Sequence, residues 1–449
     1  LIPKEVGIRM AVEGIDPACF MKALGINRDI FDRSQSALSF MESYNSHLTL
    51  FDGVVGDMSG WLNEQACRGF SPTTLEIFGT CPFKFFMSKI LALESLEEPE
   101  TAEMIAAVEL GILYHNILRD VYNILIEKRY FDTKGHKLSS AEQHSDYQKS
   151  LPPLPPLQGE DEGGVKKPTP KKNFLPCNPI ELLRSIAQKY FAEIEQQIPI
   201  PYPIIWEIEK EEMLDLLTKF ISWDIERIEQ TGYVPTYIEK TAKLSPQNDL
   251  YKLIPEHFKQ GDASKITFKG KIDRIDVKKG EHGVSFRVLD YKSGRFIKEN
   301  LIRAAIRGQK LQIPFYIIMA EHLLSEEIKK GRIPPGQVKL DEASFVYVAQ
   351  DMEEKKGHLC PQKKTISNDD WMECKEQYWE TLKEFLRIIR EGILPVSPAE
   401  DTQKCEWCDF ATTCRRGHQP LRFRVEQDTR LKKYREIINL SLSKRSNKP

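Results

Sequence analysis

The clearest alternation of apolar and polar positions in the chain lies between residues 268 and 295. Val284, Phe286 and Val288 alternate with polar residues, which predicts a strand with one apolar face. A second strand is predicted just before it, and the polar segment 278–283, which contains two glycines, predicts the turn between them. We therefore expect a β-hairpin in this stretch.

Hydrophobic periodicity elsewhere predicts several helices and two more strands. Ser71 is typical of an N-cap and Pro72 of a first helical turn. The pattern predicts helices over 71–91 with a break at 79–82, over 101–128, over 179–230 with a proline-rich interruption at 198–204, and over 300–324 and 371–390. It predicts strands over 233–244 and 343–349. Pro314 predicts a kink in the helix over 300–324. This order of elements predicts an α/β fold with a mixed central sheet backed by helices.

The periodic pattern is interrupted between residues 133 and 172. The part from Leu151 to Lys172 is rich in proline, glycine and charged residues. Such a segment cannot bury enough apolar surface to offset the entropy cost of ordering it. It predicts a disordered insertion, and a proline-rich motif that binds a partner is the alternative.

Composition indicates a globular protein with little net charge. The chain has 449 residues, 41% of them hydrophobic, with 64 basic and 66 acidic residues. A surface for nucleic acid must therefore be a local patch. No apolar run reaches the length of a membrane span and no signal peptide is visible, so we expect a cytoplasmic protein with no membrane contact.

Charged residues extend the apolar face of the hairpin at one end. Asp290 and Lys292 follow Val288 at spacings of two, so their side chains share its face. Asp273 lies on the neighbouring strand. Two carboxylates and a lysine in this arrangement can hold a divalent cation while the ammonium orients an attacking water. An Asp/Lys pair on the surface of an ordinary hairpin is the alternative.

Two predicted helices each carry a pair of candidate residues four positions apart, and hence on one face. In the first helix, Gly111 lets another backbone or a ligand approach beside His115. In the second, Gln312 and Tyr316 offer hydrogen bonds to a phosphate or to the lysine. Packing of these side chains in the core is the alternative for both pairs.

Three cysteines near the C-terminus are the most specific local signal. Cys405, Cys408 and Cys414 fall within ten residues, so a turn and a short helix can direct all three thiols to one point. A fourth ligand can come from Cys81, His418 or another cysteine. The residues alone leave both an iron–sulfur cluster and a zinc site open.

Together these segments resemble the PD-(D/E)XK nuclease domain of the RecB and AddB type. The resemblance rests on the motifs GKIDRID from residue 270, LDYKSG from 289 and QIPFY from 312. It extends to SPTTLEIFGTCPFKFF from residue 71, to GILYH from 111 and to the three C-terminal cysteines. It covers roughly residues 71–416, with the motifs in the family's order.

The resemblance implies a restriction-endonuclease-like core, in which a mixed central sheet is flanked by helices, with extra helical segments. Asp273 and Asp290 match the family's metal-binding aspartates, and Lys292 matches its catalytic lysine. His115 matches a histidine that helps to hold the metal, and Glu239 loosely resembles an acidic position that assists it. The implied metal is Mg²⁺ or Mn²⁺.

The remaining motifs imply a second metal group and a helix beside the active site. Gln312 and Tyr316 match that helix. The family's [4Fe–4S] cluster, which ties the two ends of the nuclease domain together as a staple, is matched by Cys81, Cys405, Cys408 and Cys414. No other small-molecule cofactor is implied.

The implied function is a Mg²⁺-dependent deoxyribonuclease, of the exonuclease kind, acting on DNA ends or single strands. The AddB type implies a complex like AddAB or RecBCD that processes double-strand breaks, with a helicase–nuclease subunit of the AddA type as partner. A standalone iron–sulfur exonuclease of the CRISPR-adaptation type is one alternative. A catalytically inactive scaffold that binds DNA ends is the other.

Residues 1–70 are predicted to form a mainly helical N-terminal segment, the remnant of a longer helicase-like subunit, as a start at Leu1 also suggests. Residues 71–449 are predicted to form the nuclease domain, with the insertion at 133–172 and a basic tail at 422–449. The tail is predicted to contact phosphates or to dock, and an ordinary solvated helix is the alternative. The sequence has no G-x-x-x-x-G-K-[ST] phosphate loop that would drive a helicase.

Overall fold

The computed structural model describes residues 3–14, 28–94, 105–132, 134–137, 178–200, 202–244, 267–296, 298–355, 358–396 and 403–439. The predicted insertion at 133–172 lies outside these residues apart from 134–137, and so does the predicted tail beyond residue 439. Within the described ranges, no helix is both long enough and apolar enough to cross a membrane.

A mixed five-stranded sheet forms the centre of the fold. Its strands are β1 Val234–Leu244, β2 Phe268–Gly280, β3 Gly283–Lys292, β4 Gln337–Tyr347 and β7 Lys363–Ser367. They stand in the order β1-β2-β3-β4-β7, with β3 and β4 parallel and the other neighbours antiparallel. Two short strands, β5 Glu353–Lys355 and β6 His358–Cys360, form a separate hairpin.

The predicted hairpin is confirmed as β2 and β3. The two strands pair in register as far as Gly280 with Gly283, so Glu281 and His282 form the tip of the turn. Gly283 has a φ of 137°, a conformation that residues with a side chain rarely adopt. The turn predicted over segment 278–283 is therefore present, and Gly283 has the conformation in it that favours glycine.

Helices cover both faces of the sheet, which confirms the predicted α/β arrangement. Before the sheet they are α1 Pro3–Val12, α2 Arg28–Glu42, α3 Ser59–Arg68, α4 Pro72–Thr80, α5 Pro82–Phe85, α6 Ala107–Glu127, α7 Pro179–Gln197 and α8 Pro203–Thr231. Later helices are α9 Leu301–Ile306, α10 Gln312–Lys329, α11 Asn368–Arg390, α12 Gln403–Glu406, α13 Gln419–Gln427 and α14 Lys432–Ile438. A π-helical turn, Phe86–Ile90, follows α5.

The alternating residues of β3 belong to two different cores. Phe286 and Val288 lie in the larger core, together with apolar residues of α4, α10 and α11. Leu289 and Tyr291 lie in the smaller core, together with residues of α6, α7 and α8. The sheet is therefore a middle layer with helices on both sides.

The prediction of one continuous helix over 300–324 is wrong. The structure has two helices, α9 and α10, and the chain turns between them at Gly308, whose φ is 71°. Pro314 lies in the first turn of α10, where backbone N–H groups have no partner within the helix. A proline in the first turn of a helix causes no kink. The helical pattern is instead interrupted at Gly308.

The N-terminal segment packs against the C-terminal helices. A fully buried ion pair joins Arg424 on α13 to Asp52, with Nη2 and Oδ1 2.8 Å apart. The backbone N–H of Leu48 donates to Oδ2 of Asp428 at 2.8 Å. Tyr434 on α14 is fully buried in the larger core. The described part of the predicted tail is thus helical and packed against the fold.

Candidate active site

The hairpin brings Asp273 and Asp290 together at the end of the pairing between β2 and β3. The last pair in the ladder is Arg274 with Leu289, which makes the two aspartates next in register. The backbone N–H of Tyr291 donates to Oδ2 of Asp273 at 2.8 Å. Asp290 is only 1% exposed. Two carboxylates therefore lie side by side, one of them almost completely buried.

The strand alternation breaks at Asp273, a feature that the sequence pattern did not predict. Ile272 and Ile275 are three positions apart, yet both lie in the larger core. The register of β1 with β2 places Glu239 opposite Asp273, and Glu239 has a φ of 48°. Strained conformations of this kind persist where the surroundings hold them in place, often at functional sites.

Lys292 is held in a fixed direction by two neighbours. Its Nζ lies 2.5 Å from Oδ2 of Asp290 and donates to Oε1 of Gln312 at 2.9 Å. Nε2 of Gln312 in turn donates to Oδ1 of Asp290 at 2.7 Å and to the hydroxyl of Tyr316 at 3.0 Å. Burial lowers the pKa of Lys292, but the Asp290 carboxylate outweighs burial and the net shift is upward. The lysine is therefore a cation in this arrangement.

His115 reaches the aspartates from α6. Its Nε2 lies 3.0 Å from the carbonyl oxygen of Tyr291, and because a carbonyl can only accept, Nε2 carries the proton of this hydrogen bond. Its Nδ1 lies 3.4 Å from Oδ2 of Asp273. Burial lowers the pKa of His115. In the neutral ring, Nδ1 presents a lone pair toward the carboxylate.

Burial also raises the pKa of both aspartates. The pKa of Asp273 is raised well above its usual value by burial and then by the neighbouring charge of Asp290. Burial raises the pKa of Asp290 as well, and the attraction of Lys292 offsets only part of the effect. Lys292 therefore compensates these carboxylates only in part, and a divalent cation can supply further positive charge.

The donor atoms fit a divalent cation in kind, although they do not converge on one point. Oδ2 of Asp290 is buried and accepts no well-directed hydrogen bond, even though the ammonium of Lys292 is close. Carboxylate oxygens and a neutral imidazole suit such a cation. Across the residues that the structure describes, no three His, Cys, Asp or Glu side chains form a ready-made metal site. Lys292 is instead the cation that pairs with Asp290.

A cleft of about 610 Å³ opens beside these residues. Gly111 and His115 on α6 form one wall, and the segment after β3 forms another. A Cβ at Gly111 would lie 2.9 Å from the Oγ of Ser293, so the glycine lets the helix approach that segment closely. The cleft thus lies beside His115, and the space next to Gly111 itself is occupied by Ser293.

Glu239 lines the same cleft, but its carboxylate is paired with basic side chains. It contacts the ammonium of Lys271 directly and lies 4.0 Å from Nη1 of Arg119. Its charge is also near enough to raise the pKa of Asp273, after the larger effects of burial and Asp290. Glu239 thus lies close to the two aspartates, but its own ion pairs are with Lys271 and Arg119.

A buried network of two arginines and two aspartates lies under the hairpin, and the sequence analysis missed it. Arg274 donates to Asp276 at 2.5 Å and to Asp224 on α8 at 2.7 Å. Arg227 donates to the same two carboxylates at 2.6 and 2.8 Å. Arg274 also donates to the hydroxyl of Tyr291 at 3.2 Å. The available signal was an arginine and an aspartate at alternate positions of a strand that is otherwise buried.

The three C-terminal cysteines lie near one another. Burial raises the pKa of the Cys414 thiol, and the nearby Cys405 and Cys408 add to this effect. Nη1 of Arg416 lies 3.0 Å from Sγ of Cys405. The short helix α12 and the turn that follows it thus bring the three thiols to one region of the surface, but the thiols do not converge on one point as the spacing predicted.

Cys81 lies at the junction of α4 and α5, as predicted. Nζ of Lys84, on α5, lies 3.4 Å from Oδ2 of Asp409, so α5 contacts the cysteine-bearing loop. Nδ1 of His418, another candidate ligand, is buried and has no hydrogen-bond partner. Thiols are the right ligands for an iron–sulfur cluster, but the described cysteines do not form a converged group of three or more.

Comparison with known families agrees with this geometry. A family model described as the PD-(D/E)XK nuclease superfamily matches residues 69–415, well over half of the chain. The match includes the central sheet, α6, α10 and the cysteine segments. The mixed sheet flanked by helices is consistent with a restriction-endonuclease-like fold. A comparison with curated proteins gave no significant match.

Proposed function

Because the chain belongs to the PD-(D/E)XK nuclease superfamily, we propose that it is a metal-dependent deoxyribonuclease that hydrolyses phosphodiester bonds in the cleft beside β3. The observation that carries this proposal is the position of Lys292, whose ammonium lies between Asp290 and Gln312 at the end of the hairpin. A half-buried lysine beside two carboxylates of raised pKa is typical of a catalytic site.

Asp273, Asp290 and His115 are the proposed metal ligands, with Glu239 assisting from the cleft wall. The support is the pair of adjacent carboxylates, which Lys292 compensates only in part, and the lone pair that His115 directs toward Asp273. When Mg²⁺ or Mn²⁺ is bound there, it supplies a Lewis acid for the scissile phosphate and makes a coordinated water more acidic.

Lys292 is the proposed catalytic lysine. Its ammonium orients the attacking water and stabilises the negative charge that develops on the phosphate. Gln312 keeps the lysine beside Asp290 through hydrogen bonds to both. Tyr316, one turn further along α10, fixes the amide of Gln312 by accepting from it.

A cleavage assay on end-labelled single-stranded and double-stranded DNA tests this function. We expect the wild type to cleave with Mg²⁺ or Mn²⁺ and not with EDTA. Asp290→Asn and Lys292→Ala should lower the rate by roughly 10²–10⁴-fold. Lys279→Ala is the matched control, because Lys279 is exposed at the far end of the same hairpin. Undiminished cleavage by Asp290→Asn contradicts the proposal, and end binding by a wild type that never cleaves supports an inactive scaffold.

We further propose that this nuclease is of the AddB type, is an exonuclease, and acts with a helicase–nuclease subunit at broken DNA ends. The support is the set of sequence motifs and the lack of a phosphate-loop motif in this sequence. Protein purified from its own cells should carry a helicase subunit and should degrade double-stranded ends only with ATP. Degradation without ATP by a protein that purifies alone would support the standalone exonuclease.

The four cysteines are proposed to hold a [4Fe–4S] cluster with a structural role. The support is their chemistry and the contact between Lys84 and Asp409, which brings the segment of Cys81 to the C-terminal cysteine loop. Closing so long a loop restricts the unfolded chain strongly. Anaerobically purified protein should be brown and contain iron, and Cys405→Ala should be colourless and less stable. The exposed Cys67→Ala is the control. Iron-free protein that carries zinc contradicts the cluster.

A further inference from the structure

Glu76, on α4, caps a helix that is distant in sequence. Its Oε1 accepts hydrogen bonds from the backbone N–H groups of Leu311, at 2.6 Å, and Gln312, at 3.0 Å. These groups stand at the start of α10, and the residue before the helix provides no side-chain cap. The first N–H groups of a helix have no partner within it, and a carboxylate there is favoured by the helix dipole. Glu76 therefore supplies the cap from another helix.

The capped residue is the one that directs the candidate catalytic lysine. The side chain of Gln312 accepts from Lys292 and donates to Asp290. Its backbone N–H is bound by Glu76. Two hydrogen bonds therefore connect the Glu76 carboxylate, through Gln312, to the ammonium of Lys292. Glu76 fixes the backbone of Gln312, whose side-chain amide orients the lysine.

The helix that carries Glu76 is packed directly on the turn before α10. A Cβ at Gly79 would overlap the carbonyl oxygen of Gly308 in that turn. The two backbones are therefore in contact, with no side chain between them. The ring of Phe385 packs against the same two glycines. α4 is consequently a rigid support from which Glu76 can hold the start of α10 in place.

We propose that Glu76 is a positioning residue for the nuclease reaction, which acts on Lys292 and Asp290 through Gln312. This inference rests on the proposed function. It gives the segment that ends at Cys81 a role at the catalytic residues, in addition to the proposed cluster ligand that Cys81 supplies. Sub-ångström precision matters in such an arrangement, because small misplacements of catalytic groups lower rates strongly.

A double-mutant cycle with Gln312 tests the proposal. Glu76→Ala and Glu76→Met, which cannot accept the two N–H groups, should each lower kcat at least tenfold and leave the KM for DNA within about threefold, since the substrate cleft is intact. Glu76→Gln, whose amide oxygen can accept both, should retain most of the activity. In a Gln312→Ala background, Glu76→Ala should lower kcat no further, because the side chain through which it acts is gone. A purely structural role would instead give the same fold-loss in both backgrounds, and this result would overturn the inference.

A control variant and two negative outcomes separate the positioning role of Glu76 from the proposed function. Asp428→Asn removes another carboxylate that accepts a backbone N–H, from Leu48, and should lower stability without changing kcat at a temperature where the protein is folded. If Glu76→Ala does not fold, Glu76→Met carries the same cycle. A wild type that cleaves no DNA refutes the proposed function. A wild type that cleaves DNA while Glu76→Met and Glu76→Ala retain full kcat refutes only the positioning role.

Discussion

Replacing Asp224 by asparagine tests how much the buried network supports the catalytic hairpin. The change keeps the size of the side chain and removes its charge. Asp224 is fully buried on α8 and accepts hydrogen bonds from Arg274, Arg227 and the hydroxyl of Tyr122. The variant therefore leaves two buried guanidinium groups with a single carboxylate, Asp276, between them.

The pKa of Asp224 sets the size of the expected effect. Burial alone raises this pKa, but Arg227 and Arg274 outweigh burial and bring it from 3.8 to about 2. A shift of this size corresponds to about 2 kcal/mol in the free energy of unfolding. Because the folded-state pKa is the lower one, this stabilisation is complete above pH 3.8 and is lost as the pH falls toward 2. Roughly half of it should remain at pH 3.

Urea unfolding between pH 7 and pH 3 measures the effect. We expect Asp224→Asn to be less stable than the wild type by about 2 kcal/mol or more at pH 7, because breaking a buried ion pair leaves an unpaired charge. The difference should narrow by about 1 kcal/mol at pH 3. Asp215→Asn, whose exposed pair with Lys219 lies on the same helix, should change stability by less than about 0.5 kcal/mol. Equal stability of Asp224→Asn and wild type at pH 7, or a constant difference at every pH, would refute the reasoning.

Two further variants test the packing of α4 and the cleft wall. Gly79→Ala places a methyl group on the carbonyl oxygen of Gly308 and should cost about 1–3 kcal/mol in thermal or urea unfolding. Gly60→Ala, where a Cβ meets nothing within 4 Å, is its control, and equal stability of both variants contradicts the close approach. Glu239→Gln should raise the Mg²⁺ concentration for half-maximal cleavage several-fold and restore the rate at saturating Mg²⁺. An unchanged Mg²⁺ dependence would mean that Glu239 serves only its partner Lys271.

The fold was predictable wherever a single periodicity decided the structure. Alternation in β3 was enough to predict that Asp290 and Lys292 share one face, because the period of a strand is two. The break between α9 and α10 was not predictable in this way. A glycine within an apolar helical pattern is compatible with a continuous helix, and the turn at Gly308 follows from its contact with Gly79 on α4. The hydrophobic periodicity of residues 300–324 gives no information about a contact with α4.

The site was predictable for residues that belong to short motifs, and not for residues whose partners are distant. Lys292 and Gln312 were singled out as candidates, and their side chains are in contact. Glu76 was not, because its partner Gln312 lies 236 positions away and a glutamate in the first half of a helix is unremarkable. The φ of Glu239 was equally hidden, since strand propensity predicts extended backbone at that position.

The charged groups under the hairpin and those at its open end differ in how far they are compensated by opposite charges. The compensated groups support the fold, and the others belong to the candidate active site. Under the hairpin, Arg274 and Asp276 are matched with opposite charges, and the pKa of Asp224 is lowered because its partners favour the charged form. At its open end, Asp273 and Asp290 have raised pKa values because burial of both, and for Asp273 also the charge of Asp290, is only partly offset. An unmatched pair of this kind lowers the stability of the fold, so it persists only where the surroundings compensate. The matched network joins β2 to α8 under the hairpin, whereas Lys292 compensates the carboxylates at the open end only in part, as the proposed cation site requires.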